Sequence, residues 1–250
     1  MPGTLYLIPN TLGPSDLSQE DPLAECIPEH VQVVTAGIRY FVAESAKTTR
    51  AYLKLIAIKH PLAVPLQEIL IRELNVNTDA AALPALLEPL QAGQDAGLIS
   101  EAGVPAVADP GANLVRLAHS HGIPVKPLVG PSSILLAVMA SGLNGQSFAF
   151  NGYLPTDATQ RSKRLKALEE RSRSERQTQL FIETPYRNGA LLEAIVSTCH
   201  TNTLVCVATD LSLTTESIRT QTAGKWKEDL AARKAPDFHK RPTVFLLLAA

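Results

Sequence analysis

Short apolar runs closed by turn residues recur along the chain, and many alternate with stretches whose apolar positions return every three or four residues. "TLYLIP" (4–9) reads as a first strand, closed by the turn "NTLGPSD". "VQVVTAG" (31–37) and "YFVAE" (40–44) are apolar runs of strand length. "RAYLKLIAI" (50–58) suits a helix or a strand, because periodicity alone does not separate the two over so short a window. "AALPALLEPLQAG" (81–93) has helical spacing and Gly93 as a stop, with Pro89 weakening its last turn. Strand "AGLIS" (96–100), helix "ANLVRLAHSHG" (112–122), strand "PVKPLVG" (124–130) and helix "SSILLAVMASG" (132–142) follow. Such alternation predicts a largely parallel α/β sheet with right-handed crossovers. "FAFNGYLP" (148–155), rich in aromatics and closed by Gly152 and Pro155, marks a domain junction. Two α/β domains are expected, 1–146 and 147–250. The second holds a charged helix (160–177), strand "TQLFIET", helix "NGALLEAIVSTC", strand "TLVCVATD", helix "AGKWKEDLAAR" and strand "PTVFLLLA".

The composition, 45% hydrophobic and 19% charged over 250 residues, is ordinary for a globular protein. No apolar run is long enough to span a bilayer, and "MPGTLYLIPNTLG" lacks a basic n-region, which predicts a cytoplasmic location and no membrane partner. Cys26, Cys199 and Cys206 are scattered, as expected of buried thiols kept reduced, and the six histidines form no metal-ligand spacing. The net charge of −1 conceals an asymmetry. Residues 1–146 carry 8 Lys/Arg against 13 Asp/Glu, and residues 147–250 carry 15 against 11. The two halves therefore present different surfaces.

One stretch stands apart from simple alternation. "GLISEAGVPAVADPG" (97–111) ends a strand on an acid and then spends two Gly/Pro turns before a helix begins. A plain strand-to-helix connection needs only about two to six residues. Loops of this kind line clefts at the carboxyl ends of parallel strands. "IPNTLGPSD" (8–16) lacks the common phosphate-loop patterns and on its own is also a plain turn. In "VGPSS", Ser132 or Ser133 suits an N-cap and equally a helix start that holds a ligand's carboxylate or hydroxyl. In "FIETPYRN", Glu183 and Arg187 just after a strand are compatible with a surface ion pair as well as with a site.

Taken in order, these stretches resemble the tetrapyrrole methylase superfamily of S-adenosylmethionine (SAM) methyltransferases. Within it the likeness is to the ribosomal RNA small subunit methyltransferase I branch, which 2′-O-methylates a cytidine. The branch's LYxVPTPIGNLxD stands here as "LYLIPNTLGPSD", its SDAGTPxxSDPG as "SEAGVPAVADPG" and its PLPGPSA as "PLVGPSS". Its F.GFLP stands as "FNGYLP", its FYES.HR as "FIETPYR" and its ARELTK..E as "ATDLSLTTE".

The resemblance implies two α/β domains with SAM folded into the cleft between them. It implies cofactor contacts at Pro9, Gly13, Ser100, Glu101, Ala102, Gly103, Pro105, Ala108, Asp109, Ser132, Ser133 and Tyr153. It further implies a homodimer acting on ribosomal RNA or the small ribosomal subunit, with no metal. Alternatives are a tetrapyrrole or other small-molecule acceptor, and a SAM-binding protein without turnover. The branch's AEDTR is here "AESAK" (43–47), its PIGN is "TLGP", ending on Pro14, and its SDAG acid is Glu101. A 2′-hydroxyl acceptor must lose a proton. Glu44, Lys47 and Arg50 from the diverged motif, with Glu183 and Arg187, are the candidates to assist, and none is singled out.

Overall fold

The computed structural model describes residues 1–15 and 20–250. Asp16, the last residue of the first motif, lies outside the described residues. The chain divides into two compact units, Met1–Ser132 and Ser133–Ala250. The division falls before "SILLAVMASG", so that helix packs with the second unit, whereas the sequence reading puts it in the first.

In the first unit, β1 (Leu5–Ile8), β2 (Tyr40–Ala43), β3 (Leu70–Glu73), β4 (Ala96–Ile99) and β5 (Val125–Pro127) form one sheet in the order β3-β2-β4-β1-β5. Every pairing is parallel, as the alternation predicts. Helices α1 (Glu29–Ala36), α2 (Ala46–Lys59), α3 (Leu83–Gln91) and α4 (Gly111–Ser120) make the connections. The inner strands β2 and β4 are buried at all four positions, which a sheet covered on both faces requires. Side-chain alternation sorts them into two clusters: Ile8, Phe41, Ala43 and Ile99 in one, and Leu5, Tyr40, Val42 and Leu98 in the other.

Two elements depart from the sequence pattern, and a third that it leaves open is settled. "VQVVTAG" lies in helix α1, not in a strand: its buried residues Val31, Gln32, Thr35 and Ala36 have helical spacing, and Pro28 precedes it. The β-branched residues that suggested a strand are overridden by this packing. "RAYLKLIAI" is helical within α2, burying Thr49, Tyr52, Leu53 and Ile56. β3 is a largely exposed four-residue edge strand whose two apolar residues, Leu70 and Ile71, are adjacent, so it carries no hydrophobic alternation to betray it.

The second unit contains α5 (Ser133–Ser141), β6 (Phe148–Tyr153), α6 (Ala158–Glu175), β7 (Thr178–Ile182), α7 (Asn188–Thr198), β8 (Leu204–Thr209), β9 (Ser217–Thr222), α8 (Ala223–Ala231) and β10 (Thr243–Leu248). Its sheet runs β6-β7-β10-β8-β9, parallel only between β6 and β7. Phe181 and Phe245, opposite one another in register, stack with centroids 6.3 Å apart. Trp226 of α8 is fully buried in the same core, and its indole N–H donates to the Val205 carbonyl at 2.9 Å. β9, an edge strand of sequence "SIRTQT", is the second element with no apolar signature.

Candidate functional site

Parallel pairing brings the carboxyl ends of β1, β2, β4 and β5 to one edge of the first sheet, so the segments that follow them are neighbours. Hydrogen bonds lock three of them together. The Asn10 backbone N–H donates to the Gly103 carbonyl at 2.8 Å, and the Gly103 N–H returns to the Asn10 carbonyl at 3.2 Å. The buried Asn10 side chain also donates to the carbonyls of Ser100 (3.2 Å) and Glu101 (3.0 Å). Glu44, just past β2, accepts from the Glu101 N–H at 3.2 Å. Asn10 was not among the expected site residues. Its partners lie about ninety positions away, a separation that local sequence patterning does not reveal.

Glycine and proline have specific steric work here. A Cβ on Gly130 would stand 2.1 Å from the Cβ of Pro9, so the segment after β5 reaches the β1 loop only because that position is glycine. Gly103 has φ +69°, with Leu12 Cδ2 3.3 Å and the Pro131 carbonyl 3.6 Å from where its Cβ would be. Pro9, Gly103 and Pro105 are buried, and Gly13 is half-buried.

The long loop is held open by one carboxylate. Asp109 accepts from the Ser100 hydroxyl (2.5 Å), the Ala106 N–H (2.8 Å) and the Gly111 N–H (2.7 Å). Ala106 and Ala108 both sit in the left-handed region, at φ 64° and 61°. Non-glycine residues there cost on the order of 1–3 kcal/mol each and cluster at functional sites. Glu101, Ala102, Val107 and Ala108 are exposed along this loop, whereas Ser100 is buried beneath it. Residues 100–111 include two acids and no lysine or arginine.

The remaining expected residues are distributed less tightly. Ser45 caps α2, accepting from the Thr48 N–H at 3.3 Å, while Lys47 and Arg50 are exposed on that helix. Ser132 and Ser133 are half-buried at the start of α5. Tyr153 ends β6 and is 61% exposed, beside a register irregularity and Gly152 at φ +64°.

Glu183 and Arg187 do form an ion pair, at 2.5 Å, but it is not a surface one: the Glu183 side chain is almost wholly buried and also accepts from the Thr184 N–H. Two further anchors went unforeseen. Asn188, fully buried, donates to the carbonyls of Phe238 and Arg241 and to the Thr243 hydroxyl. Asp210, at the end of β8, accepts from Arg241 Nε (2.7 Å) and the Thr215 hydroxyl (2.6 Å). Among the described residues no group of His, Cys, Asp and Glu is arranged to hold a metal ion.

Residues 30–226 match the family model for Tetrapyrrole (Corrin/Porphyrin) Methylases. Relatives named Ribosomal RNA small subunit methyltransferase I include one from Mesorhizobium japonicum, 40% identical over 153 residues, 61% of this chain and 51% of that protein. Another, from Escherichia coli O157:H7, is 32% identical over 236 residues, 93% of this chain and 75% of that protein. The match thus spans about half of the first relative and three quarters of the second. Two solved structures share the fold at low identity. The methyltransferase CobJ has a TM-score of 0.59 at 17% identity, covering 99% of this chain and 93% of that one. The cobalt precorrin-4 methyltransferase CbiF has 0.58 at 12%, covering 98% and 94%.

Proposed function

The chain belongs to the tetrapyrrole methylase family, and from that membership we propose that it transfers a methyl group from SAM to RNA of the small ribosomal subunit, at a ribose 2′-hydroxyl. The observation that carries the cofactor half is the loop 100–110, with its left-handed alanines, small exposed side chains and the exposed acid Glu101, which among the described residues has no cation within ion-pair distance. Such a surface suits a ligand bearing a sulfonium and an ammonium and disfavours the phosphates of NAD or ATP. Long relatives named for ribosomal RNA methylation support the RNA half.

SAM supplies, when bound, a methyl group already activated on sulfur. Pro9, Gly13, Glu101, Ala102, Gly103 and Ala108 would hold it, largely through backbone, with Ser132, Ser133 and Tyr153 as further contacts. Asn10 and Asp109 keep the loops in place and so serve orientation, which alone can supply much of the acceleration of a displacement. Of the carboxylates considered for the acceptor's proton, Glu183 is the poorer placed, because its side chain is almost wholly buried and already held by Arg187 and the Thr184 N–H. Glu44, half-buried at the loop edge, is the better placed. The same reading carries a cytoplasmic homodimer, which sedimentation checks.

Titration calorimetry with SAM and S-adenosylhomocysteine, followed by transfer of labelled methyl to small-subunit RNA, tests the proposal. Binding of both ligands and label on ribose is the expected result. A folded protein that binds neither overturns the cofactor half, and label appearing on a tetrapyrrole instead of RNA overturns the acceptor half.

A further inference from the structure

The second unit's charge surplus is concentrated in one helix. Residues 147–250 exceed neutrality by four cations, and the stretch 161–176 alone, with seven Lys/Arg and three Glu, accounts for the same excess. α6 does not distribute those charges evenly. In its C-terminal half, Arg171 pairs with Glu175 at 3.2 Å and Arg173 with Glu170 at 2.9 Å. The third acid, Glu169, is buried and turned inward, accepting from the His200 N–H and the Thr203 hydroxyl.

The N-terminal half is left without a counter-charge. Arg161 is engaged by its own chain, donating to the Thr156 carbonyl at 3.0 Å. Lys163, Arg164 and Lys166 are exposed, and among the described residues none of them lies within ion-pair distance of a carboxylate. Among the described residues Arg164 donates to the neutral Asn151 side chain, at 3.1 Å. Lys163 and Lys166, with Thr159 and Ser162, line an open depression of about 420 Å³. Lys163 and Lys166 are like charges at i,i+3 on the helix surface, so the arrangement works against local stability. Local rules broken without internal compensation are found at functional surfaces. The apolar side chains of the helix, Leu165 and Leu168, are buried, so it offers no greasy face to a membrane.

We propose that Lys163, Arg164 and Lys166 form the face that docks the phosphate backbone of the RNA acceptor. The inference rests on the RNA reading above and adds where the polyanion lies. Each neutralised phosphate steepens the salt dependence of binding by about 0.7 log units per log of salt for single strands and about 0.9 for duplex.

The test compares wild type, the triple variant Lys163→Gln, Arg164→Gln, Lys166→Gln, and the pair Arg171→Gln, Arg173→Gln, on transcribed small-subunit RNA over a range of salt. The triple variant should flatten the slope by about 2 to 3 log units and weaken binding at low salt. The pair should leave the slope near wild type, and SAM affinity should be unchanged in all three. An unaltered slope in the triple variant, or equal flattening per charge in the pair, overturns the docking face while leaving RNA methylation intact. A wild type that binds SAM but neither RNA nor its methyl acceptor overturns the RNA reading and the docking face with it.

Discussion

Asp109 has a structural task besides the cofactor contact that the resemblance implies. Its carboxylate ties Ser100, Ala106 and Gly111 around two left-handed alanines. Replacing it with alanine should cost about 2–3 kcal/mol in urea unfolding, since hydrogen bonds to a charged group are worth about 1.5–3 kcal/mol each and water replaces part of them. SAM affinity should fall at the same time. Lost affinity at unchanged stability would instead make Asp109 a direct ligand. Gly103→Val tests the same loop from the backbone side. A β-branched residue at φ +69° is strained, so both the unfolding midpoint and SAM affinity should drop, and normal affinity in a folded variant would remove this loop from the pocket. Gly103 and Asp109 were legible because their types mark a turn and an acid in a recognisable string. Asn10 was not, because its meaning lies in carbonyls that only folding brings near.

At the scale of elements, legibility followed burial. Central strands such as β2 and β4 announce themselves by continuous apolar residues, and α6 by its charge. The edge strands β3 and β9 are largely exposed, lack apolar alternation and pass for loops, while α1 is a helix written in strand-forming residues. β9 is fastened by side chains. Asp229 of α8 accepts from Gln221 at 3.0 Å and from Lys225 at 3.0 Å, with Arg219 at 3.6 Å. Those contacts, the Gln221 hydrogen bond foremost, hold its carboxyl below the usual aspartate range. A folded-state value below the unfolded one means stabilisation that is present above about pH 4 and lost as pH falls through the folded value. The gap in melting temperature between wild type and Asp229→Asn should therefore be open at pH 7 and close toward pH 3. A gap independent of pH would show that Asp229 acts by packing alone.

At the scale of the whole molecule, the asymmetry of charge survives whichever boundary is drawn, because residues 133–146 carry no charged side chain. Each unit also has a core of its own. The thiols report on them separately: Cys26 is half-buried in the first, and Cys199 and Cys206 are buried in the second. Burial, and after it the Glu169 carboxylate, pushes the Cys199 thiol up to about 12, and burial also raises Cys206. Ellman's reagent at pH 8 should find no more than one reactive thiol in the native chain and three in urea. Two or three in the native state would mean that the second core opens readily. The lone tryptophan, Trp226, lies in that same core, bonded to Val205 and excluded from water. Its emission should be shifted to short wavelength, and an optical melt followed at that wavelength reads the Ser133–Ala250 unit alone. The loops that follow the first unit's strands hold no tryptophan and would be silent at that wavelength, so a ligand that braced only those loops would raise the circular-dichroism midpoint and leave the fluorescence midpoint where it was.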